Sequence, residues 1–338
     1  MTAKHDHGPP GLRAHLKELL VPHGHGAAAD HALTSSDEGI RAVKVSFVAL
    51  ALTAALQGLV VALSGSVALL SDTLHNVADA LTALPLWLAF SLARKPATRR
   101  FTYGYGRAED VAGLFVLVVI AMSAALAAYE AIERFVEPRP VRNLPYVAAA
   151  ALLGFIGNEL VALYRIRVGR HIGSAALVAD GLHARTDGLT SLAVLAGAAG
   201  VALGFQQADP IAGLAIAGVI VVILVGAGRD VLGRMMDAVD PELVAKVEEV
   251  VAATEGVVTV DEVHLRWIGH ELRAEVEIGV PESLSVVQAH DVAVRTQHRL
   301  LHEVPRLTSA LVHTNPAGPP GVDHHAPLAD HPQRFSRR

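Results

Sequence analysis

Two short segments of the sequence set the same ionisable residues at the same spacing. Asp72-Thr-Leu-His75-Asn-Val-Ala-Asp79 and Asp180-Gly-Leu-His183-Ala-Arg-Thr-Asp187, followed as far as Leu84 and Leu192, agree at seven positions. Offsets of three and seven bring the Asp, the His and the second Asp of each segment onto one helical face. Neutral imidazole and carboxylate are ligands for a divalent metal. Two of each make a tetrahedral set that suits zinc, whereas octahedral all-oxygen coordination suits magnesium, calcium or manganese. The chain has no cysteine, which removes thiolate ligation and disulfides from consideration. His75, Asp79, His183 and Asp187 are therefore the expected ligands. Asp72 and Asp180 each stand one turn from a His, where a carboxylate could be a further ligand, an acceptor that orients the imidazole, or an interfacial cap.

The residues around these segments are those of a membrane. The chain is 52% hydrophobic and 18% charged over 338 residues, and its apolar residues fall in long blocks. An apolar run of about 20 residues is long enough to cross the hydrocarbon layer. Six such helices are expected at Ile40–Leu63, Ser66–Ala93, Glu109–Phe135, Leu144–Val168, Ser174–Gly204 and Pro210–Met236, which puts both metal-ligating segments inside the bilayer. Polar side chains can simply tie membrane helices together. An ionisable group at bilayer depth, however, costs about 2.5–3.5 kcal/mol on insertion scales and marks an ion path more often than a structural tie. Duplication of the whole face favours the functional reading.

Basic residues give the orientation. Arg41 and Lys44 precede the first helix, Arg94, Lys95, Arg99, Arg100 and Arg107 fill the second loop, and Arg165, Arg167 and Arg170 fill the fourth. By the positive-inside bias these loops and both termini are cytosolic, although Arg134, Arg139 and Arg142 in the third loop run against it. The second-loop cations anchor to anionic lipid or mark topology.

Four regions follow: a His-rich cytosolic tail (residues 1–39), the six-helix domain (40–236), a small soluble domain (237–316) and a Pro- and His-rich disordered tail (317–338). The soluble domain reads as helix 241–254, strands 257–267 and 272–280, helix 286–304 and a strand near 309–313. That α-β-β-α-β order suggests a ferredoxin-like layer. The formal charge of −5 and the absence of an aromatic-laced basic groove leave little room for nucleic acid. Gly104-x-Gly106 has neither the later glycine nor the Gly-Lys-Ser/Thr ending of a phosphate loop.

His75-x3-Asp79, His183-x3-Asp187 and the run Ser66-Val-Ala-Leu-Leu-Ser-Asp72 resemble the metal-site helices of the cation diffusion facilitator family. Phe101-Thr-Tyr-Gly-Tyr-Gly-Arg-Ala-Glu109 is similar to that family's signature between the second and third helices. The resemblance implies a homodimer, alternating access, and divalent metal efflux coupled to proton entry. It also implies zinc as the first cargo, with cobalt, cadmium, iron, nickel and manganese as further candidates. His264, Glu277, His290 and His313 resemble positions that bind regulatory metal in the family's soluble domain, although Glu277 and Asn315 depart from its usual His and Asp.

Two other classes fit the sequence less well. A membrane-embedded zinc hydrolase would need an open metal position, and four protein ligands leave none; nor is there a His-Glu-x-x-His segment. A membrane-anchored metal sensor would not need the duplicated face inside the bilayer. The Ala-, Val-, Leu-, Gly- and Arg-rich composition suggests a bacterial plasma membrane.

Overall fold

The computed structural model describes residues 25–64, 81–136, 144–205 and 207–317. Among the described residues six helices precede the soluble domain: α1 (His25–Ser64), α2 (Ala83–Ala93), α3 (Arg107–Val136), α4 (Leu144–Ile172), α5 (Ala175–Ala202) and α6 (Ala208–Met235). Four of them contain stretches long and apolar enough to cross a membrane: Leu33–Leu63 of α1, Arg107–Val136, Pro145–Ile172 and Ala208–Met235. Helix α5 is as long as α6, but Asp180, His183, Arg185 and Asp187 dilute its hydrophobicity. The described part of the second expected helix is the short apolar α2.

Two boundaries differ from the sequence reading. Helix α1 begins at His25, so residues 25–39, read as tail, are helical; the Ala-rich stretch Ala27–Ala29 favours this. Helix α4 continues to Ile172, so Arg165, Arg167 and Arg170 stand on its last turns instead of in a loop. Gly173 ends that helix in a left-handed conformation with φ of +81°. Ser174 then caps α5, its hydroxyl accepting from the Leu177 amide at 3.0 Å. The two helices cross closely, because a Cβ on Gly181 would lie 2.8 Å from Ile166 and one on Gly169 would lie 2.9 Å from Val178. Small residues at such crossings let membrane helices approach.

The third-loop arginine that ran against the charge bias has a local explanation. Arg134 pairs with Asp209 at 3.0 Å and faces Glu130 at 4.0 Å, tying the end of α3 to the start of α6 with its charge balanced. Arg139 and Arg142 lie outside the described residues.

The soluble domain has the expected order: α7 (Pro241–Ala252), β1 (Thr259–Ile268), β2 (Glu271–Pro281), α8 (Val286–Glu303) and β3 (Leu307–Ala317). Asp240 caps α7 with Pro241 at its first position, and Ser285 and Gln288 form a capping box on α8. The sheet order is β1-β2-β3, with β1 and β2 antiparallel and β2 and β3 parallel. Leu272, Ala274, Val276 and Ile278 of β2 point into a core closed by Val247, Val250 and Val251 of α7 and Val292 and Leu300 of α8. The alternate residues Arg273, Glu275 and Glu277 are left on the open face. Strand β3 runs past Asn315 through Pro316, which an edge strand tolerates because its outer amides need no partner.

Candidate metal site

Helix α5 carries two of the expected ligands. His183 and Asp187 are 1% and 7% exposed, and the His183 Nδ1 lies 3.6 Å from the Asp187 Oδ2, beyond hydrogen-bond length but within ion-pair reach. The four-residue spacing alone sets them side by side. Thr186 donates to the His183 carbonyl at 2.6 Å and Thr190 to the Thr186 carbonyl at 3.0 Å, so the hydroxyls nearest the site are turned onto the helix backbone. Among the described residues no three His, Asp or Glu side chains gather to hold a metal. Asp72, His75 and Asp79, which would supply the other half of the set, lie outside the described residues.

Asp180 has a partner that the sequence reading did not name. Its Oδ2 stands 2.9 Å from the Arg165 Nη1 of α4, with both side chains at 1% exposure or less. The contact is one of charge, since its angles fall outside hydrogen-bond geometry: both carboxylate oxygens, and Nε and Nη2 of Arg165, make no hydrogen bond among the described residues. Five residues further along α5, Arg185 forks onto Glu159 of α4 at 2.7 and 3.2 Å. Two ion pairs to one helix thus bracket the segment that holds His183. Arg165 was legible in principle: Asn158, Val161, Ala162 and Arg165 follow the three-and-four spacing of a single face, and all four are buried.

Two further buried polar groups lie on α1 and α4. Gln57 donates to the Ala150 carbonyl at 3.1 Å, joining α1 to α4, and buried Asn158 packs beside Gly188 of α5.

In the soluble domain the four candidate residues do not come together within one chain. Glu277 pairs in register with Glu262 on one side and His313 on the other. Asn315 reaches the Glu277 and Asp261 carboxylates at 3.4 Å, and His264 faces Glu262 at 3.1 Å. These residues belong to the open face, whereas His290 is exposed on α8, which covers the opposite face.

The soluble domain is locked to the helices through its β1–β2 turn. His270 is buried, its Nδ1 2.7 Å from the Glu109 Oε2 of α3 and its Nε2 3.4 Å from the Ser36 hydroxyl of α1. Arg107 bridges Asp110 at 3.3 Å and Asp237 at 2.7 Å, and Arg234 lies 4.4 Å over the Trp267 ring.

Four helices long and apolar enough to cross a membrane, joined to a small α/β domain with a three-stranded sheet, define a polytopic membrane protein with a soluble appendage. The cation efflux transmembrane domain matches residues 43–236 and the cation efflux cytoplasmic domain matches residues 239–317. A probable cation efflux system protein of Mycobacterium tuberculosis is 56% identical over 319 residues, covering 94% of this chain and 96% of its own. The magnetosome protein MamB of Paramagnetospirillum magneticum is 27% identical, covering 73% of this chain and 83% of its own. The manganese efflux system protein MneP of Bacillus subtilis is 26% identical, covering 72% and 85%. The chain belongs to the cation diffusion facilitator family, a family of membrane transporters and not of enzymes.

Proposed function

We propose that this chain exports divalent metal ions, zinc first, in exchange for protons, and that the cargo is held by His75, Asp79, His183 and Asp187 during alternating access. The observation that carries the reading is the burial of His183 and Asp187 side by side on α5, inside the membrane domain. Two imidazoles in the set favour zinc over manganese, for which carboxylate, carbonyl and water ligands are better suited. The manganese named for the Bacillus subtilis relative makes metal choice the point to test. Imidazole must be neutral to bind metal, and its unperturbed pKa of about 6.5 lets protons compete in the physiological range.

Asp180 is a positioning group in this account, held by Arg165. The match to a cytoplasmic domain supports cytosolic termini and a homodimer, and bacterial relatives support the plasma membrane. A regulatory metal on His264, Glu277 and His313 would bind the open face of the sheet, with His290 drawn from a second copy.

The test is metal flux into proteoliposomes carrying an internal pH dye, comparing zinc, cobalt, cadmium and manganese. Zinc flux with opposed proton movement, lost in Asp79→Ala and Asp187→Ala, is expected. Flux that survives both substitutions would show that the buried residues are structural.

A further inference from the structure

Beside the metal helix, a cleft of about 1120 Å³ opens between α5, α6 and the first turns of α7. Its deep wall is apolar, made by Val178 and Leu182 of α5 and Ile223 and Ala227 of α6. Gly226 stands in that wall, and a Cβ built on it meets nothing within 4 Å. At the end nearer the soluble domain the cleft is bordered by five cations, Arg170, Arg229, Arg234, Lys246 and Arg306, against the three carboxylates Asp230, Asp240 and Glu242.

Three of those cations are already engaged. Arg234 donates to the Gly173 carbonyl at 2.6 Å, Arg306 to the Arg170 carbonyl at 2.7 Å, and Lys246 pairs with Glu249 at 2.9 Å. The guanidinium groups of Arg170 and Arg229 are exposed and meet no hydrogen-bonding or ion-pairing partner among the described residues. Along α6 the rise from Ile223 to Arg229 is about 9 Å, which lies within one leaflet of a hydrocarbon core about 30 Å thick. Apolar wall and cationic rim thus follow one another within the depth of a single leaflet.

We propose that this cleft seats an anionic phospholipid, with its phosphate against Arg170 and Arg229 and an acyl chain along Ile223, Gly226 and Leu182. The excess of cations selects an anionic headgroup, because a zwitterionic one brings its own ammonium to the rim. Lipid so placed touches α5 one residue from His183, and the composition of the inner leaflet then bears on the metal helix.

Native mass spectrometry of the delipidated full chain in detergent tests this, with phosphatidylglycerol and phosphatidylcholine of identical acyl chains at equal concentration. Phosphatidylglycerol is expected to be retained roughly tenfold more. Arg170→Gln with Arg229→Gln should abolish the preference. Gly226→Leu, whose side chain enters open space, should lower retention of both lipids with no loss of thermal stability. Equal retention by the wild type, or a preference unchanged in the double variant, would overturn the proposal. So would displacement of the lipid by millimolar inorganic phosphate, which would mark a free-anion site, or a change in oligomeric mass in Gly226→Leu, which would assign the cleft to a second copy of the chain.

Discussion

Replacing Asp180 by leucine removes half of an ion pair that has no access to water, since Arg165 is 1% exposed and Asp180 fully enclosed. At 2.9 Å the attraction between unit charges is about 6 kcal/mol with an effective dielectric constant near 20. Taking one partner from a buried pair costs about 3–5 kcal/mol, because the remaining charge is stranded, while replacing both by apolar groups is neutral or stabilising. Asp180→Leu should therefore destabilise the protein by about 3–5 kcal/mol. Arg165→Met combined with Asp180→Leu should return to within about 1 kcal/mol of the wild type. A double-mutant cycle on reversible denaturant unfolding of the detergent-solubilised protein measures the coupling. Zinc binding by the double variant asks separately whether Asp180 is a ligand, and retained affinity is expected. A cost below about 1 kcal/mol for Asp180→Leu, or additive effects of the two substitutions, would show that Arg165 is not stranded by loss of its partner.

Three further outcomes are expected elsewhere. His270→Ala strands the buried Glu109 carboxylate and should cost about 1–3 kcal/mol, with faster proteolysis of the 236–240 connection as the readout. Ser174→Ala removes the cap of α5 and should lower stability by about 1 kcal/mol in thermal unfolding. Gly157→Ala would drive a Cβ into the Thr53 hydroxyl between α4 and α1 and should cost about 1–3 kcal/mol, whereas Gly58→Ala, which meets open space, should be neutral or slightly stabilising.

Much of this arrangement was legible in the residues, and the reasons are local. The spacing of Asp180, His183 and Asp187 needs only the helical repeat to become one face. The order of the soluble domain likewise follows from alternation in β2 and from the caps at Asp240 and Ser285. What stayed hidden depends on contacts between distant segments. A positive-inside count treats Arg165, Arg167 and Arg170 alike, yet only the crossing of α4 over Gly181 encloses Arg165 and hands it to Asp180. His270 belongs to no motif of the sequence, and only the β1–β2 turn sets it between Glu109, Ser36 and Phe90. The extent of β3 was underread because Pro316 signals a break, whereas an edge strand accommodates it. His264, Glu277 and His313 share a sheet face while His290 does not, a distinction that spacing cannot make.

In the proposed site His183 and Asp187 supply two of four ligands, completed by His75 and Asp79. Cobalt absorption of the purified, metal-free full chain tests it most directly, because the intensity and position of the visible bands report coordination geometry. A strong four-coordinate spectrum, titrated away by zinc and lost in both Asp187→Ala and His75→Ala, is expected. A weak octahedral spectrum, or a four-coordinate one unchanged by both substitutions, would contradict it.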